Sequence, residues 1–161
     1  MHIWTLTNWE KYYNLEEKRN RTGLRLKFDT DVDPEVRRAI KEFCKWLRRE
    51  YFFPIRVPIY VKTSYKIKTM DGELVYGTFF GPFDRNVEPY IRISAGDYYD
   101  TVQKNGKDKA LGYYLVTIAH ELTHYFQWIN DIKLTRIGYE RQATAYSGYI
   151  IDEYKETREH P

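Results

Sequence analysis

One stretch restricts the fold more than any other. Leu111, Leu115, Ile118, Leu122, Tyr125 and Ile129 recur at steps of 4, 3, 4, 3 and 4. This is the period of an amphipathic helix, with one apolar side committed to a core. The spacing predicts a helix over 108–129. At about 100° per residue, the side opposite the stripe carries His120 and His124, with Tyr113, Val116, Thr117 and Gln127 around them. The helix packs by one side and presents two imidazoles on the other, where apolar and aromatic neighbours keep the surface partly dry.

Those histidines belong to His120-Glu121-Leu122-Thr123-His124, an H-E-x-x-H sequence. Positions i and i+4 of a helix differ by about 40° in direction and one turn in height, so both imidazoles can reach one metal ion. Glu121 points about 100° away, beside such an ion, where it can take a proton from a water. A catalytic zinc site needs a third protein ligand and an open position. His2 and His160 lie at the chain ends and are poor candidates. Asp131 follows the end of the helix and reads as a turn residue or C-terminal cap. Glu140 fits best: fifteen residues separate it from His124, enough for a turn back. It falls near the start of a last helix over 137–156, with small Ala143, Ser147 and Gly148 spaced for close packing.

The rest of the chain reads as helix and strands. Residues 7–19 form a short helix capped by Thr7 or Asn8, within an N-terminal helical extension over 1–23. Leu24–Phe28 alternates as a strand. Asp33-Pro34-Glu35 starts a helix whose Val36, Ile40, Phe43, Cys44, Leu47 and Tyr51 face a core. Residues 55–62 and 65–68 are strand-like, with Pro58 arguing for an edge or bulge. Asp71-Gly72 turns a hairpin between 65–69 and 74–80, and 87–94 is a further strand. Helix, strands and two final helices suggest one α+β domain over 1–161, its helices packed on a small, mostly antiparallel sheet.

Composition narrows the function. Lys and Arg number 26 against 23 Asp and Glu, a net charge of +3. That is too mild to imply nucleic acid or a membrane surface. No apolar run nears the roughly 20 residues of a membrane span, and residues 1–20 lack the apolar core of a secretory signal. The expectation is a cytoplasmic protein with no membrane partner. Cys44 is alone, so there is no disulfide framework or Cys-based zinc cluster; it reads as an inert buried thiol. Aromatic residues reach 17%, with 16 Tyr, so the core and its rim are aromatic.

With H-E-x-x-H on one helix and a Glu on the next, the chain resembles the zincin metallopeptidases of the gluzincin kind. Glu140-Arg141-Gln142-Ala143 looks like the E-x-x-A segment of the small ImmA/IrrE-like peptidases. The resemblance covers about 90–151. It implies a zincin-like fold and Zn2+ on His120, His124 and Glu140. It also implies Glu121 as general base, a peptide or protein substrate, and peptide binding as an added strand on a sheet edge, for which 90–94 is the candidate. Some family features are absent. Thr144 stands where larger gluzincins often place an Asp that orients a zinc-bound His, and Asn130 stands where metzincins carry a third His. No suitable His follows His124 to complete a SprT-like set, since His160 lies at the chain end. Tyr125, Tyr139, Tyr146 and Tyr149 are candidates to stabilise an oxyanion. Two other readings stand beside peptidase: a zincin-fold binding or regulatory protein with little or no activity, and a protease working near DNA through the basic residues at 18–21 and Arg37-Arg38.

Overall fold

Strand, helix and strand follow one another between residues 24 and 62, and that order sets the direction of the sheet. The computed structural model describes residues 2–17 and 20–161. Strand β1 (Leu24–Phe28) leads into helix α1 (Pro34–Glu50), and α1 returns the chain to β2 (Val57–Lys62). A helical crossover brings the second strand in parallel to the first, and β1 pairs with β2 in that sense, Leu26 opposite Ile59. Helix α1 begins where the sequence indicates: Pro34 occupies the first turn and Asp33 accepts a hydrogen bond from the Glu35 N–H at 2.8 Å.

A two-stranded hairpin, β3 (Ile67–Lys68) with β4 (Leu74–Val75), follows; β5 (Gly77–Phe80) and β6 (Tyr90–Ser94) then join the main sheet. The hairpin turns through Gly72 at φ +87°, a conformation that favours glycine. The main sheet has the order β1-β2-β6-β5, with β6 parallel to β2 and β5 antiparallel to β6. The expected mostly antiparallel sheet is therefore corrected to a mixed one, in which only the β5–β6 ladder is antiparallel. The expected strand over 74–80 is two strands, β4 in the hairpin and β5 in the sheet.

Pro58 also sits differently from expectation, in a central strand. The Val57 N–H donates to Gly23 O on the β1 side. Successive backbone groups alternate, so Pro58 turns its missing N–H toward β6, and the β2–β6 ladder begins only at Ile59–Ile91. No ladder bond is lost.

Helix α2 (Tyr98–Asn105), which the sequence reading did not anticipate, is followed by α3 (Lys107–Ile129) and α4 (Arg136–Lys155). Gly106, at φ +87°, breaks the chain between α2 and α3. The core lies between one face of the sheet and helices α1 and α3. Ile59, Val61, Ile91 and Ile93 meet Ile40, Phe43 and Leu47 of α1 and the apolar stripe of α3 in one buried cluster. All six stripe residues are buried, as the periodicity requires. On the opposite sheet face Lys27 lies over the Tyr60 ring and Arg92 over Tyr90, so the long cations cover the aromatic surface.

The N-terminal residues are part of this core and not a helical extension. The helix expected over 7–19 is reduced to a 3-10 turn at Asn8–Lys11, after another at Ile3–Thr5. Tertiary contacts hold the segment instead. Trp4 Nε1–H donates to Thr123 Oγ1 at 3.0 Å, the Trp9 N–H donates to Asn130 Oδ1 at 3.3 Å, and Tyr12 OH donates to Ile129 O. The segment thus braces the back of the helix whose front carries the histidines. Of the basic residues at 18–21, Lys18 and Arg19 lie outside the described residues. Cys44 is fully buried, and burial pushes its thiol up to about 12, as an inert thiol requires. No described helix is long and apolar enough to cross a membrane.

Candidate metal centre

Helix α3 is held by its apolar stripe, and its other face brings His120 and His124 together, half-buried, with ring centroids 4.9 Å apart and planes at 80°. After α3 the chain reverses in a tight turn. Asn130 caps the helix, and Asp131 adopts φ 52° just beyond it, in the turn role the sequence assigns. Thr135 then caps α4, its Oγ1 accepting from the Gly138 N–H at 3.0 Å. Helix α4 packs closely on α3 through buried Ala143 and Ser147. Gly148, expected to serve the same purpose, faces open space.

This packing delivers Glu140 to both imidazoles. Its Oε2 is 3.1 Å from His120 Nε2 and its Oε1 is 3.0 Å from His124 Nε2. One ligand atom from each of the three residues lies within 4.8 Å of the others. His2, packed against Tyr51 and Tyr146, and His160, beside Asp108, take no part.

Gln127 orients one of the two imidazoles. Its Nε2 donates to Tyr139 O and to Gln142 Oε1, both at 3.0 Å, which fixes the amide. Its Oε1 therefore accepts from His124 Nδ1–H at 2.7 Å. A neutral imidazole protonated at Nδ1 carries a lone pair at Nε2, and here that lone pair faces the Glu140 carboxylate. Two acceptors at 3.0 Å repel unless positive charge lies between them. At His120, burial and the neighbouring His124 hold the imidazole below its ordinary value, against the pull of Glu140. Two imidazole nitrogens and a carboxylate are a donor set that suits a divalent cation. The orienting role left vacant at the exposed Thr144 is met, for His124, by Gln127 from within α3. Gln127 stands on the histidine face, and its i+3 spacing from His124 is the signal in the sequence for this anchoring role.

Glu121 lies beside the three. It is 7% exposed and lines the same cleft of about 600 Å³ as His120, His124 and Glu140. Burial, and then the charge of Glu140, push its carboxyl up to about 8. Strand β5 crosses the helix at this point. A Cβ built on Gly77 would stand 2.6 Å from Thr117 Cγ2 and 3.3 Å from Glu121 Cγ, so only glycine lets the strand approach so closely. The sheet edge beside the helix is therefore β5 and not 90–94, because β6 is paired on both sides.

Of the four tyrosines considered, Tyr125 is fully buried with its hydroxyl on the Ile55 backbone, and Tyr146 and Tyr149 pack against each other away from the cleft. Tyr139 donates its hydroxyl to Ile132 O and borders the site near His124. Arg37 donates to Asp29 O and Thr30 O, and Arg38 pairs with Glu35 and Glu42. Neither is a free cation for a phosphate backbone. No protein-family model matches the chain, and no curated protein or solved structure matches it.

Proposed function

We propose that this chain is a zinc-dependent metallopeptidase of the zincin kind, with His120, His124 and Glu140 as ligands and Glu121 as general base. The observation that carries the reading is the convergence of two imidazole Nε2 atoms and a carboxylate at one point of a cleft, with a second, buried carboxylate beside them. When bound there, zinc supplies Lewis acidity, polarising the scissile carbonyl and making a neighbouring water acidic near pH 7. Glu121 accepts the proton of the attacking water and delivers it to the leaving amine. Its burial between α3 and β5 keeps competing solvent from the carboxyl. Strand β5 has a ladder partner on one side only, and its other edge offers backbone donors and acceptors to an extended peptide. Gln127 holds His124 with Nε2 toward the metal point.

The test is metal analysis of the purified chain followed by digestion of a proteome-derived peptide library. The expected result is one zinc per chain and new peptide termini. One zinc with no new termini on any library assigns the centre to binding or regulation instead of peptidase chemistry. No zinc uptake removes the centre itself. Gln127→Leu should lower zinc affinity by roughly 10–100-fold with little loss of helix content, measured by competition with a chromophoric chelator. Unchanged affinity would mean that His124 needs no anchor.

A further inference from the structure

Beyond His124 the cleft continues into a groove of about 480 Å³ walled by Phe79, Trp128 and Tyr139. Three cations line it, Arg85, Lys133 and Arg136, with two acids, Asp131 and Glu140. Nearly all of this charge is engaged. Asp131 pairs with Lys133 at 2.8 Å and Arg85 at 3.3 Å, and Arg85 also donates to Trp128 O. Glu140 is spent on the two imidazoles. Arg136 is the exception: among the described residues it has no hydrogen bond or ion pair at contact distance, and its charge is felt by the exposed hairpin carboxylate of Asp71. It is also the cation that lines both the groove and the cleft holding His120, Glu121 and His124. The cleft's other acid, Glu73, stands on the hairpin side and does not line the groove.

The Arg136 side chain, exposed on the first turn of α4 four residues before Glu140, is within reach of whatever enters this groove. A guanidinium presents paired N–H groups that match a carboxylate. We propose that Arg136 recognises a carboxylate of the peptide substrate lying in the groove next to the metal centre, making this a peptidase selective for acidic peptides. The carboxylate comes either from an Asp or Glu side chain near the cleaved bond or from a free C-terminus. The inference rests on the peptidase reading for the word substrate, and on the groove alone for the binding.

The experiment uses the full, zinc-loaded chain. A cleaved peptide is remade with Glu or Gln at each position flanking the bond, and with a free or amidated C-terminus. A single charge-assisted pair predicts a preference of roughly tenfold to a hundredfold in kcat/KM for the acidic form at one position. If that position is a side chain, amidation has no effect; if it is the terminus, amidation removes the preference. Arg136→Gln should bring the Glu/Gln ratio to about one, and Arg136→Glu should turn it toward Lys peptides, with zinc content and circular dichroism unchanged. Binding is read separately in Glu121→Gln by calorimetry with the same peptide pairs. Cleavage with no acidic preference overturns the inference and leaves the peptidase reading standing. Arg136-dependent binding of acidic peptides without cleavage in the wild type overturns the peptidase reading and leaves the groove's role. Neither cleavage nor Arg136-dependent binding overturns the two together.

Discussion

Glu121→Gln should leave zinc in place and lower peptide hydrolysis by about 10²–10⁴-fold, the range that a positioned general base supplies. The amide matches the carboxylate in shape, so the contact with β5 at Gly77 survives and the three ligands are untouched. It cannot take the proton. Metal content and kcat measured on one preparation check both halves, and activity within a few-fold of wild type would remove Glu121 from the reaction. The same variant has a stability signature. In the chelated protein the folded Glu121 carboxyl titrates at about 8, above its ordinary value of 4.5. A carboxyl raised in this way favours folding while it is protonated: its contribution is complete below about pH 4.5 and is lost as pH rises through about 8. Gln has no such loss. With zinc removed, Glu121→Gln should therefore melt above wild type by a margin that widens from about pH 5 to about pH 8. A margin that stays constant would show that Glu121 ionises freely and is not held in the dry gap between strand and helix.

Glu140→Ala should lose zinc. Spreading the roughly 10–16 kcal/mol of a structural zinc site over its ligands gives about 3–4 kcal/mol each, a drop in affinity on the order of 10³-fold. Wild type at zinc concentrations about 100-fold above its Kd gains about 2.7 kcal/mol, or roughly 5–10 °C in Tm for a chain of this size. At the same concentration the variant should gain almost nothing. The metal-free variant should melt close to the metal-free wild type, because the Glu140 side chain is largely exposed and an exposed pair contributes little to stability. A strong fall in the metal-free Tm would make Glu140 a structural ion-pair partner of the histidines, and the metal reading would fail with it.

The centre was legible because each part of it is local. The stripe from Leu111 to Ile129 sets the phase of α3, phase sets where His120 and His124 point, and a short turn leaves few places for Glu140 to go. The sheet was read less well, though one clue was present. A strand at Leu24–Phe28, a long helix and a strand at 57–62 form a crossover unit, and weighing that order against the hairpin signal at Asp71-Gly72 gives parallel pairing for β1 and β2. The N-terminal segment carried no comparable clue. Trp9, Tyr12 and Tyr13 are spaced to share one side of a helix, but Asn130 and Ile129, more than a hundred residues away, hold Trp9 in a 3-10 turn and Tyr12 just after it.

The sequence by itself determined the His120, His124 and Glu140 grouping, the carboxylate of Glu121 beside it, the two long helices that carry them and the buried thiol, because helical period and capping act within a turn or two of chain. Only the tertiary structure decided that β5 is the edge beside the centre, that Gly77 must be glycine, that Gln127 anchors His124, and that Arg136 lines both the cleft and the groove. Each of these depends on which atoms meet across elements distant in sequence. Strand order, close approach and charge pairing come from packing the whole chain at once, and no local pattern encodes them.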